Sequence, residues 1–234
     1  MGTQRAIEAD EPGEFSLIAG APSSGPYALE KTTLLGVANP GMGAPTYSAY
    51  MLTAYQRTYG NVYTDPTQVF QNPYAKGIDS LLPVDTYAEA AALNGKTLPL
   101  ALSALLQPSF VKSFTTDPNN GARVDLRKND LLNGWTPVAP VALCGGSKDP
   151  VVTYENSKLA YAYFTKEGVK VTLTDVNGFI PTTLPRSEYH DAVLLFCLTL
   201  NRVAILDQKP ARAHAFRGAR RGSYSLHPGS PIPE

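Results

Sequence analysis

Apolar and polar positions change their period along the chain, and the changes divide it into regions. Residues 3–11 read as a helix stopped by Pro12-Gly13, and Phe15-Ser16-Leu17-Ile18-Ala19-Gly20 reads as a strand. The turn-rich Ala21-Pro22-Ser23-Ser24-Gly25-Pro26 follows. From about Leu29 to Trp135 the period is helical, and Asp65-Pro66, Asn72-Pro73 and Asp85 read as N-cap signals, two of them with proline at the first helical position. Tyr47, Tyr50, Met51, Ala54 and Tyr55 fall at helical spacing, and Leu98, Leu100, Leu102, Leu105 and Leu106 form a second apolar patch. These stripes either pack a helical subdomain or line an apolar substrate pocket.

After Trp135 the pattern alternates between β and α. Val141-Ala142-Leu143-Cys144 is a continuous apolar run, as a parallel strand buried on both faces requires. Residues 154–166 read as a helix with Gly168 as its C-cap. Val169, Val171 and Leu173 alternate with Lys170, Thr172 and Thr174, which predicts a strand ending near Asp175-Val176. Residues 191–206 predict a last helix, with Leu194, Leu195, Leu198 and Val203 available for its buried side.

Two side chains in this second half carry candidate chemistry. The first apolar strand runs into Gly145-Gly146-Ser147-Lys148-Asp149-Pro150, a glycine turn that presents a carboxylate, and Tyr189-His190-Asp191 supplies an imidazole beyond the next helix and strand. Strand, Asp, helix, strand and then His is the order in which α/β-hydrolases deliver the last two members of a Ser-Asp-His triad. Asp149 also reads as an Asx turn before proline, and His190 as a surface-loop histidine. No G-x-S-x-G occurs in the 234 residues. Ser23, Ser24 and Ser147 lie near the motif, but none stands at a strand-to-helix elbow.

Composition narrows the classes. Hydrophobic content of 43%, charged content of 17% and a formal net charge of zero describe an ordinary globular chain and exclude a basic nucleic-acid binder. No run reaches the roughly 18 apolar residues of a membrane span, and Met1 opens onto a polar segment without the pattern of a signal peptide. Cys144 and Cys197 sit in apolar runs, where core thiols are expected in preference to a disulfide. Residues 208–234 carry Lys209, Arg212, Arg217, Arg220 and Arg221 against the single acid Glu234, with no apolar period, which predicts a disordered basic tail. His214 and His227 fall within it, and no His/Cys/Asp/Glu spacing predicts a metal site or a cofactor.

Pro-Gly-Glu-Phe at 12–15, Ala-Pro-Ser-Ser-Gly-Pro-Tyr at 21–27, Tyr-Gly-Asn-Val-Tyr-Thr-Asp-Pro at 59–66, Asn-Asp-Leu-Leu-Asn-Gly-Trp-Thr-Pro at 129–137 and Cys-Gly-Gly-Ser-Lys-Asp-Pro-Val-Val at 144–152 together resemble bacterial α/β-hydrolases of the secretory lipase type. The resemblance runs from Thr3 to about Asp207. It implies the C-terminal part of an α/β-hydrolase, with three strands of the parallel sheet and a helical cap insertion; the disordered basic tail lies beyond the resemblance. In such proteins a Gly-Tyr-Ser-Gln-Gly-Gly-like elbow continues much as Met1-Gly2-Thr3-Gln4-Arg5-Ala6 does, so the chain is expected to start just after the nucleophile.

The implied domains are hydrolase core at 1–28, cap at 29–135, core with acid and base at 136–207, and tail at 208–234. By the same resemblance Asp149 takes the place of the triad acid and His190 that of the base, for a small-molecule or lipid ester substrate, without a cofactor. Complete members look secreted or periplasmic. The alternative is a non-catalytic fragment or interaction module, whose exposed sheet edge invites self-association.

Overall fold

The computed structural model describes residues 1–82, 89, 92–93 and 95–206, without the side chains of 203–206. Asp85 and the basic tail lie outside the described residues. The first helix, α1, is Gly2–Asp10, and it is followed by α2 (Leu29–Ala38), α3 (Ala44–Tyr59) and the short α4 (Ile78–Leu81). Then come α5 (Leu102–Leu105), α6 (Pro108–Thr116) and α7 (Gly121–Asn129). The chain closes with β1 (Val141–Gly145), α8 (Glu155–Lys166), β2 (Val171–Asp175) and α9 (Tyr189–Leu206).

The middle helices form one core. Ala49, Leu52 and Thr53 on α3 and Ala122, Asp125 and Leu126 on α7 are buried at i, i+3 and i+4, the spacing of a single helix face. Phe70, Leu105, Phe110 and Phe114 close the same cluster. The tyrosine stripe is divided: Met51 and Tyr55 pack against this core, whereas Tyr47 and Tyr50 are exposed. In the leucine patch Leu98, Leu102, Leu105 and Leu106 are buried, whereas Leu100 is exposed. Asp65 caps a 3-10 turn at Pro66–Gln68, its carboxylate accepting from the Thr67 N–H and Gln68 completing the reciprocal pair. Asn72-Pro73 begins a turn instead of a helix, and its peptide bond is cis.

β1 and β2 pair in parallel from Val141↔Val171 to Gly145↔Asp175, joined by α8. The pleat sorts β1 by parity: Val141 and Leu143 pack with Ala160 and Phe164 of α8, and Cys144 packs with Tyr189, Val193 and Cys197 of α9. A third parallel segment lies beside β1, but it begins at Gly20 where the expected strand ends, not at Phe15. Pairing occurs at Gly20↔Val141 and Ser23↔Cys144, while Phe15 and Ile18 are exposed. Pro22 keeps the 20–23 segment to isolated bridges, since proline offers no N–H to a ladder. The buried side of α9 is also rotated from the expected one: Val193 and Cys197 face inward, and Leu195 and Leu198 are exposed.

Candidate functional site

Asp149 lies just past the carboxyl end of β1, in a turn closed by its own N–H donating to the Gly146 carbonyl at 3.0 Å. Gly146 lets this turn meet α9, because a Cβ there would stand 2.5 Å from Val193 Cγ2. The Asp149 side chain is fully covered. Its Oδ1 accepts from the backbone N–H groups of Val151 (2.9 Å) and Val152 (3.0 Å), the Asx turn expected before proline. Its Oδ2 accepts from the Ser24 hydroxyl at 2.7 Å and lies 2.8 Å from His190 Nδ1.

His190 is the second residue of α9, and 18% of its side chain remains exposed. With Nδ1 donating to the carboxylate, Nε2 is the acceptor nitrogen, and no hydrogen bond occupies it among the described residues. Burial opposes the charge of Asp149, but the hydrogen bonds from His190, Ser24 and Val151 outweigh it and hold the carboxyl below its ordinary range. The hydrogen bond to Asp149 lifts His190 above the ordinary imidazole value, against its partial burial. The pair is therefore a carboxylate held ionised against an imidazole that takes up a proton more readily than a free one, with Nε2 as its open nitrogen.

None of the family models compared matches the chain, and none of the curated proteins does. Among solved structures, the chain matches the rice cell wall degrading esterase LipA from Xanthomonas oryzae with a TM-score of 0.75 and 34% identity, over 88% of this chain and 54% of that one. A ligand-bound form of the same esterase matches with a TM-score of 0.72 and 34% identity, over 88% and 53%. The chain thus spans about half the length of the structures it matches. Over the matched residues its fold is that of an esterase/lipase-like α/β-hydrolase.

The α/β region joins the elements that carry Asp149 and His190 covalently. Cys144, the penultimate residue of β1, forms a disulfide with Cys197, two turns beyond His190 on α9. This corrects the expectation of two core thiols: both residues are buried among apolar neighbours as expected, but the packing of α9 on β1 brings their sulfurs together. The pairing crosses 53 residues, so no local pattern announces it.

Asp175, at the end of β2, braces the acid turn. Its Oδ1 accepts from the N–H of Ser147 (3.0 Å) and of Asn177 (2.9 Å). The linker between α2 and α3 also reaches this loop, where Met42 N–H donates to the Pro150 carbonyl at 2.7 Å and Gly41 passes so closely that a Cβ would lie 2.9 Å from that oxygen.

None of the three serines weighed as nucleophiles hydrogen-bonds to His190. Ser24 sits on the acid, Ser23 Oγ is buried without a partner, and Ser147 is an exposed turn residue. His214 and His227 lie outside the described residues. Among the described residues no helix is long and apolar enough to cross a membrane, and no three His, Cys, Asp or Glu side chains group as metal ligands.

Proposed function

We propose that this hydrolase segment supplies the acid and the base of a Ser-Asp-His carboxylesterase, Asp149 being the acid and His190 the base. The buried Asp149–His190 pair with its unoccupied Nε2 carries the reading. In the reaction Nε2 takes the proton of a serine hydroxyl as that oxygen attacks the ester carbonyl, and it returns the proton to the departing alkoxide. Water repeats the sequence on the acyl-serine. Asp149 stays ionised throughout, holding the Nδ1–H tautomer and stabilising the imidazolium.

The serine and its oxyanion donors belong, in this reading, to parts of the hydrolase core that the neighbouring structures have and this sequence does not contain, since it holds no G-x-S-x-G. Residues 1–28 and 136–207 form the core and 29–135 its cap. The substrate is a small-molecule or lipid ester. The core disulfide fits an oxidising compartment.

The test is complementation. The chain alone is expected to leave p-nitrophenyl esters at background, and the chain combined with a polypeptide carrying the nucleophile elbow is expected to turn them over. Loss of that turnover in His190→Ala supports the reading, whereas unchanged turnover refutes it.

A second reading rests on the exposed apolar side chains Ile18, Val138, Leu195 and Leu198 and the outer edge of the 20–23 segment. Through these the chain docks onto further sheet or onto a copy of itself. A concentration-dependent sedimentation coefficient that Leu195→Lys/Leu198→Lys abolishes supports it, and a strictly monomeric chain opposes it.

A further inference from the structure

Ser24 combines three observations that no motif explains. It is a buried serine, 6% exposed, whose backbone sits at φ 39°, in the left-handed region that favours glycine. That conformation is held from 120 residues away in sequence, by the Ser24 N–H donating to the Cys144 carbonyl at 2.7 Å. Its hydroxyl, aimed by this backbone, reaches the same Asp149 oxygen that His190 uses. Strain of this kind persists where surrounding structure over-determines it, and it gathers at functional sites.

We infer that Ser24 is a positioning residue of the acid–base pair: its hydroxyl fixes Oδ2 of Asp149, so that His190 is held by a rigid acceptor. This rests on the acid–base reading above and adds a residue to it.

The division of labour follows from the donors. Oδ1 is clamped by Val151 and Val152, which belong to the same turn and would hold the carboxylate's hinge in any fold containing that turn. Oδ2 has no local donor. Without Ser24 it would be shared only with His190, and rotation about the Cβ–Cγ bond would be limited by one side alone. Ser24 reaches across from the segment beside β1, so the acid is fixed only when that segment is docked. A hydroxyl donating to Oδ2 cannot at the same time serve as the nucleophile that gives its proton to Nε2. The charged groups bearing on the imidazole are Asp149 from the β1 turn and Asp191 on its own helix.

The experiment is a side-chain NMR titration of the 234-residue chain, following the Asp149 carboxyl carbon and the His190 ring. Loss of one donor to a buried carboxylate should raise the Asp149 midpoint by about one pH unit or more. Ser24→Ala removes the hydroxyl and keeps the strained backbone, and Ser24→Gly removes the hydroxyl and relieves the strain. Both are expected to raise the Asp149 midpoint by the same amount, with Ser24→Gly the more stable of the two. A purely structural role would move stability and leave the midpoint in place, so an unchanged Asp149 midpoint in Ser24→Gly overturns the inference. Asp149→Asn separates this from failure of the underlying reading: if it leaves the His190 midpoint where it was, the pair itself is not coupled, and the acid–base assignment falls instead.

Discussion

Each half of the molecule buries a carboxylate, and the two are built differently. In the helical region Asp125 is fully buried on α7, one turn before its cation Lys128 at 2.9 Å, with Asn61 on the same oxygen at 3.2 Å. Its second oxygen has no partner. In the α/β region Asp149 is equally covered, yet both oxygens are doubly hydrogen-bonded, and the donors come from the turn itself, from Ser24 and from His190. Asp125 meets Lys128 on its own helix and Asn61 just beyond α3, contacts that tie α7 to the turn after α3. Asp149 meets a titratable imidazole, at the carboxyl end of a parallel strand. Burial alone therefore does not mark a functional acid. A titratable partner brought from a distant element, with the remaining lone pairs satisfied, is the more informative sign.

The largest test of this contrast is catalytic. In the complemented esterase, His190→Ala is expected to lower kcat/KM by about 10⁴- to 10⁶-fold, and Asp149→Asn by about 10⁴-fold. Asp125→Asn should leave kcat/KM within a few-fold in the fraction that folds. A loss at Asp125 matching that at Asp149 would erase the distinction between the two carboxylates.

Next in size is the covalent tie, which only the α/β region has. Replacing both Cys144 and Cys197 by Ala should cost about 4 kcal/mol by the loop-entropy relation for a bridge of this span. Urea unfolding with and without reductant measures it. A reductant-insensitive midpoint would show that α9 is held on β1 without the bridge.

The helical region should respond to apolar deletion instead. Leu126→Ala, at a fully buried position, is expected to cost about 3 kcal/mol. The His190 titration should not move in that variant, since Leu126 belongs to the helical core whereas α9 packs in a separate cluster with Cys144 of β1. A shifted His190 midpoint would mean that the two regions are coupled more tightly than their separate cores imply.

The smallest effect is the pH dependence of the pair. Asp149 is depressed, so its contribution to stability is present above the ordinary carboxyl value near 4 and is lost as pH falls through the depressed one. His190 is raised, so its contribution is present below the ordinary imidazole value near 6.5 and is lost as pH rises through the raised one. Stability from the pair is therefore greatest between about pH 4 and 6.5. The urea midpoint of the wild-type chain should decline on the alkaline side of this window, and in Asp149→Asn that decline should vanish. An equal decline in both would place its origin elsewhere.

The sequence by itself determined the elements whose signals are local. Gly168 closes α8 at a positive φ of 77°, Asp65-Pro66 starts its 3-10 turn, and the unbroken apolar run Val141–Cys144 makes the buried strand. Chain order also singled out Asp149 and His190, because strand, Asp, helix, strand and His is readable without contacts. Tertiary structure decided what depends on a partner. Period-two alternation marks a strand but does not say where its neighbour lies, so pairing settled at 20–23 and left Phe15 and Ile18 exposed. The inward face of α9 went to Val193 and Cys197, not to Leu195 and Leu198, because Gly146 and Cys144 of the first strand and its turn receive it. Ser24 on Asp149 and Cys144 on Cys197 span 125 and 53 residues, and no propensity or spacing encodes contacts at that range. They exist only once β1, α9 and the 20–23 segment have packed together.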